Sequence, residues 1–206
     1  MSPPNWERDT ARDIAFYSAL VGEHGISHRA LDWGSQASQR LRFEVLAGLG
    51  EFSGASVLDV GCGLGDFWLW CRESGRNCDY TGVDITPAMA ELARARLPGV
   101  RFDVGTAQQY AAASFDYVVA SGIFAKREHE PLRYLEQQVA SMFDICRKGL
   151  AFNSLSAWGP QAGQGEFIAD PLAVLDFCSG LTARVVLRHD YLAHDFTIYM
   201  YREAAA

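Results

Sequence analysis

Apolar residues near the start recur at helical spacing, first as Ile14, Tyr17, Ala19 and Val21, then as Leu41, Val45, Leu46 and Leu49, with the glycine-bounded stretch 22–34 between them. Two helices are therefore expected ahead of the core. From residue 56 the pattern changes to short β-branched runs at 56–60, 80–83, 100–104, 115–120, 149–152, 183–187 and 196–201, which read as strands. Helical stretches at 66–73, 88–96, 132–146 and 172–177 fall between them, and this alternation builds a parallel sheet with crossover helices. The last two strands depart from it. Only 188–195 separates them, too short for a crossover helix, so they pair antiparallel as a terminal hairpin. The expected fold class is α/β, a doubly wound seven-stranded sheet with a C-terminal antiparallel hairpin, in which ligands bind outside the carboxyl ends of the strands. A single domain over 1–206 accommodates it, with 1–50 a helical lid segment and 51–206 the core.

Composition narrows the function classes. Over 206 residues, 18 Lys+Arg oppose 25 Asp+Glu for a net charge of −7, which argues against a basic surface that tracks nucleic-acid phosphates. No apolar run approaches the ~20 residues of a membrane span. The opening Met1-Ser2-Pro3-Pro4-Asn5-Trp6 lacks the cationic and apolar regions of a secretion signal, so a cytoplasmic location is expected. Five cysteines, an odd number with no Cys-x-x-Cys pair, indicate neither a disulfide framework nor a metal site, and they read as reduced. Ala204-Ala205-Ala206 forms a small apolar tail.

The informative chemistry begins where Val57-Leu58-Asp59-Val60 runs into Gly61-Cys62-Gly63-Leu64-Gly65-Asp66. Glycines allow a sharp turn and a close backbone approach, and the helix start offers unpaired N–H groups. Asp66 stands where a dinucleotide fingerprint wants its third glycine, and an acid there repels a pyrophosphate. A nucleoside without phosphates fits better. The second strand then ends on Asp84, about 20 residues past the last glycine, the distance at which an acid reaches ribose hydroxyls.

These motifs, with Gly82-Val83-Asp84-Ile85-Thr86 and Phe115-Asp116-Tyr117-Val118-Val119-Ala120-Ser121, resemble the class I S-adenosylmethionine-dependent methyltransferases, and element order agrees along the whole chain. The resemblance implies a Rossmann-like core with S-adenosyl-L-methionine as cofactor. It implies that the loop with Gly61, Cys62, Gly63 and Gly65 packs on the methionine moiety, Cys62 being a small apolar filler within it. Asp84 would bind both ribose hydroxyls, Ile85 would cover the adenine, Asp59 would support the loop and the cofactor ammonium, and Ser121 would present backbone to the methionine part. Many relatives carry an acid toward the adenine amino group where this chain has Gly105-Thr106-Ala107. Thr106 can accept a hydrogen bond there beside Ala107; Asp103 offers a substitute acid, but its alternation with Val100, Phe102 and Val104 reads more readily as that of a solvated edge residue.

Methyl transfer from a sulfonium needs alignment and exclusion of water more than acid–base machinery. Strand ends supply Phe124 and Asn153 as substrate contacts, with Arg188 either holding a carboxylate or pairing with Asp190 or Asp195. His189 and His194 are candidate general bases or anchors, and Tyr191 could orient an acceptor; each also reads as an ordinary hairpin residue. His24, His28 and His129 read as surface residues. Trp33, Gln39 and Arg42 suit a lid over the cofactor, while Phe43 and Leu46 read as core. Similarity to small bacterial methyltransferases found beside polysaccharide or specialised biosynthesis genes implies a small-molecule or sugar acceptor, and no Asn-Pro-Pro-Tyr-like motif points to a nucleobase amine. Two other readings stay open: non-methylating chemistry on the sulfonium itself, and a non-catalytic nucleoside-binding protein. The oligomeric state is not legible.

Overall fold

The structure, a computed structural model, describes residues 6–160 and 165–202. The opening residues 1–5 and the alanine tail 204–206 lie outside the described residues. Helix α1 (Trp6–His24), a 3-10 turn (His28–Leu31) and α2 (Gln36–Ala47) precede β1 (Ser56–Val60), α3 (Asp66–Glu73), β2 (Asp79–Asp84), α4 (Pro87–Arg96) and β3 (Arg101–Val104). There follow β4 (Phe115–Ala120), α5 (Pro131–Ile145), β5 (Cys146–Leu155), α6 (Pro171–Leu181), β6 (Val185–Leu192) and β7 (Asp195–Tyr201). The seven strands lie in the order β3-β2-β1-β4-β5-β7-β6, parallel except for β7, which runs against both neighbours. The order reverses between β1 and β4, which opens a crevice at their carboxyl ends.

Strands β1 and β4 are buried nearly throughout because helices cover both faces. Successive residues point oppositely. Leu58, Val118, Leu150 and Phe152 meet α5 and α6 residues such as Val139, Met142 and Val174 on one side. Val57, Tyr80, Val119 and Ala151 meet Phe43, Leu46, Phe67 and Trp70 of α2 and α3 on the other. The first fifty residues divide accordingly. Helix α2 is part of this core, whereas α1 packs on the 3-10 turn and α4. Buried Asp9 ties α1 to the loop after β4 by accepting the N–H groups of Glu128 and His129 at 3.1 and 2.9 Å, and Asp13 faces Arg127 at 3.4 Å.

The largest departure from expectation is the terminal hairpin. β6 continues through Leu192, so Arg188, His189, Asp190 and Tyr191 are strand residues rather than loop. Only Ala193 and His194 turn the chain, and the register shifts between Arg188 and Leu192. β6 is an edge strand with a half-exposed face, and a charged, irregular pairing of this kind leaves no apolar alternation to read. Among the described residues no helix is long and apolar enough to cross a membrane.

Candidate active site

At the switch point, Gly61 and Gly63 adopt left-handed φ of 72° and 52°. A Cβ on Gly61 would stand 2.2 Å from Ile123 Cγ2, and one on Gly63 would stand 2.4 Å from Leu31 Cδ2, so only glycine admits these covering side chains. The N–H groups of Gly61 and Cys62 both donate to Val83 O, at 2.8 and 3.1 Å, which locks the loop to the end of β2. Cys62 turns its sulfur against Gly82, and burial pushes its thiol well above the ordinary range, so it fills space without reactivity. Gly65 differs from expectation. Its missing Cβ faces Leu97 and Phe102, both at 2.7 Å, so the third glycine serves the packing of α4 and β3 rather than the cavity wall.

Asp84 closes the loop. Its Oδ2 accepts the Gly63 N–H at 2.9 Å and its Oδ1 the Thr86 N–H at 2.8 Å, while burial still pushes the carboxyl upward. Asp59 lies deeper, where burial raises it to about 7 against a 2.7 Å bond from the Tyr80 hydroxyl, and the charges of Asp84 and Asp66 add to the rise. Asp66, at the start of α3, is held by Arg96 at 2.6 Å and Gln39 at 3.2 Å. These three acids line one cavity together with Gly61, Cys62, Gly63, Ile85, Thr106, Ala107, Ser121 and Trp33. Asp103 is turned aside and accepts from Tyr110 at 2.8 Å.

A second cavity of about 390 Å³ adjoins the first. The two share Tyr17, Leu31, Trp33, Gly122 and Lys126, which form the throat between them. Trp33 lies on Gly122, 3.1 Å from where a Cβ would be. Arg42, expected over the first cavity, belongs to the second instead. Its Nε and Nη2 each reach Asp195 Oδ2 at 2.8 Å, and its guanidinium lies 5.0 Å from the Trp33 ring centre. A buried cation is held by the nearest buried anion, here one brought by the last strand.

Phe124, Asn153 and His194 also line the second cavity. Asn153 fixes the end of β4, accepting the Gly122 N–H at 2.9 Å and donating to Ser121 Oγ at 3.1 Å. His189, Tyr191 and Arg188 lie outside both cavities. His189 Nε2 meets Ser156 Oγ at 2.6 Å with its ring against Trp158, Tyr191 bonds Asp195 and Thr197, and Arg188 pairs with Asp190 at 2.7 Å. The β6 pairing that makes these residues strand also turns them into hairpin supports. Asp13, Tyr17, Lys126 and Arg127 were not singled out from sequence for the first cavity. Tyr17 showed only helical periodicity, and the Asp13–Arg127 contact joins segments more than a hundred residues apart.

A family model described as a methyltransferase domain matches residues 57–149. A methyltransferase-named protein of Mycobacterium tuberculosis is 32% identical over 154 residues, covering 69% of this chain and 90% of that protein. The magnesium-protoporphyrin O-methyltransferase of Rhodobacter capsulatus is 37% identical over 75 residues, 34% of this chain and 33% of that enzyme. In fold, the chain is similar to the Burkholderia thailandensis 1,6-didemethyltoxoflavin-N1-methyltransferase with bound 1,6-didemethyltoxoflavin and S-adenosylhomocysteine, at TM-score 0.67 and 19% identity over 98% of this chain and 91% of that one. It is also similar to the magnesium protoporphyrin IX methyltransferase of Synechocystis PCC 6803 with bound S-adenosylhomocysteine, at TM-score 0.67 and 13% identity over 95% and 100% of the two chains.

Proposed function

Taking as premise that this chain belongs to the class I S-adenosylmethionine-dependent methyltransferases, we propose that it methylates a small molecule held in the second cavity. The observation that carries the proposal is the meeting of two cavities at the Trp33–Gly122 throat, one walled by the glycine loop and Asp84 and the other of about 390 Å³, a volume suited to a small molecule. The Burkholderia protein of the same fold holds a small molecule and S-adenosylhomocysteine together, which supports an acceptor of this size.

The residues fit the cofactor. The buried Asp84 carboxylate keeps acceptor capacity beyond its two backbone bonds for ribose hydroxyls, and any Cβ at Gly61 or Gly63 would strike Ile123 or Leu31, the side chains that cover the loop. Asp59, Gly61, Gly63 and Ser121 would hold the methionine part, with Ile85, Thr106 and Ala107 around the adenine. S-adenosyl-L-methionine supplies an activated methyl on a sulfonium whose leaving group is already good. The chain's own tasks are alignment of the acceptor and exclusion of water, and Trp33, Tyr17 and Leu31 at the throat serve both. Incubation with S-adenosylmethionine alone and with an acceptor library, followed by mass spectrometry, tests the reading. S-adenosylhomocysteine formed only with an acceptor supports it; methylthioadenosine without acceptor, or tight binding without turnover, overturns it.

Asp59 gives the site a pH dependence. With its carboxyl raised to about 7, it is largely neutral at pH 6 and ionised at pH 8, and only the ionised form attracts the cofactor ammonium. Binding therefore releases a proton, and affinity for S-adenosylhomocysteine is expected to rise about tenfold from pH 6 to pH 8. Calorimetry in buffers of different ionisation enthalpy reads that proton directly. A flat profile in the wild-type protein, or one unchanged in Asp59→Asn, would remove Asp59 from the binding step.

The lid gives a separate expectation. Deleting residues 1–34 removes α1, the 3-10 turn and Trp33 but spares α2 and the sheet. Cofactor affinity should fall roughly tenfold or more while unfolding remains cooperative. Loss of the cooperative transition would show that α1 belongs to the core.

A further inference from the structure

His194 sits half-buried in the wall of the second cavity, with Nε2 3.4 Å from Arg42 Nη2. A guanidinium has only donors and keeps its proton at any ordinary pH, so Nε2 must accept in this contact and the ring proton resides on Nδ1. Arg42 cannot swing away to relax the arrangement, because Asp195 grips it through two nitrogens at 2.8 Å and Trp33 backs it. The ring's donor is then Nδ1–H, which has no hydrogen-bond partner among the described residues.

The neighbouring wall adds neutral donors. Asn153 spends one amide hydrogen on Ser121 and keeps a second, and the buried Ser154 hydroxyl has no hydrogen-bond partner among the described residues. Of the three carboxylates at this cavity, Asp195 is engaged by Arg42 and Tyr191, Asp32 by Lys126 at 2.8 Å, and Glu166 faces the same lysine at 3.9 Å. Spare hydrogens thus gather around spare space. Resting on the methyltransferase reading above, we infer that His194 is a specificity-determining donor, and that the acceptor presents an anionic oxygen on an sp² carbon: a carboxylate, enolate or phenolate. An acceptor that enters ionised also needs no base in the site, in keeping with the tautomer Arg42 imposes.

Two measurements test this. In protein with ¹⁵N-labelled histidine loaded with S-adenosylhomocysteine, His194 should show the Nδ1–H tautomer, its signal assigned by its loss in His194→Gln. Calorimetric titration of the same loaded protein at about pH 8 with benzoate, 4-nitrophenolate and benzamide should show one or both anions binding about tenfold tighter than the amide. The two anions separate a carboxylate-type from a phenolate-type acceptor. That preference should vanish in His194→Ala and persist in part in His194→Gln, which keeps an N–H donor. An Nε2–H tautomer, or no preference for either anion, overturns the inference. S-adenosylhomocysteine affinity measured on each sample separates the cases, since failure to bind it sinks the methyltransferase reading, whereas binding without anion preference sinks only the role of His194.

Discussion

Replacing Asp84 with alanine is expected to weaken S-adenosylhomocysteine binding roughly 10- to 150-fold while the protein still unfolds cooperatively. The figure corresponds to about 1.5–3 kcal/mol, the loss when ribose hydroxyls forfeit a charged acceptor. Part of the loss is indirect, because the same carboxylate orders the loop through Gly63 and the next turn through Thr86. Asp84→Asn should be little milder. Whichever way its amide turns, the NH₂ group faces either the Gly63 or the Thr86 N–H, donor against donor. Calorimetry on folded variants, with NAD as a control ligand, provides the measurement. Unchanged affinity in a folded Asp84→Ala protein would sink the assignment, and tight NAD binding would redirect it to a dehydrogenase.

The largest stability effect is expected at Asp195. Arg42 and Asp195 are 4% and 2% exposed, and removing one partner of such a pair costs about 3–5 kcal/mol because the other charge stays buried. The two halves of the pair are not equivalent. Asp195→Ala strands a guanidinium that cannot shed its proton, whereas Arg42→Met leaves a carboxyl that burial already pushes upward and that can neutralise itself. Asp195→Ala should therefore lower stability by the full amount, and Arg42→Met by less. In Arg42→Met the penalty should grow as pH rises, since a carboxyl whose folded-state pKa is raised loses stability as it ionises. Urea denaturation at two pH values, comparing midpoints at constant slope, measures both. A loss under about 1 kcal/mol for Asp195→Ala would show that water or rearrangement solvates the cation.

Local pattern carried much of the architecture into view. β1, α3 and β4 have the bounds their apolar runs and bordering glycines announce, and Asp59, Gly61, Gly63 and Asp84 converge because one strand–turn–helix unit and its neighbour determine them. Gly65 belongs to the same run, yet its φ of 77° serves packing, and no spacing rule distinguishes a glycine facing a cavity from one facing Phe102. What stayed hidden depends on distant pairing. Arg42 meets Asp195 across most of the chain, and Asp9 meets His129 in the same way. Periodicity sees only the face of a helix and not its partner, so Tyr17 looked like any apolar helix position although it stands at the throat.

The position of β7 has a consequence for how the chain is made. The last strand in sequence is not the last in space: it fills the gap between β5 and β6 and brings Phe196, Ile198 and Met200 into the core. Until synthesis has passed Tyr201, β5 and β6 each present an open, hydrogen-bonding edge beside an unfilled apolar seam. A nascent or C-terminally nicked chain is therefore the aggregation-prone species, ready to accept a strand from another copy. Long-range closure of this kind also makes the final step slow. A tag or fusion placed close behind Tyr201 should depress soluble yield more than one ahead of α1.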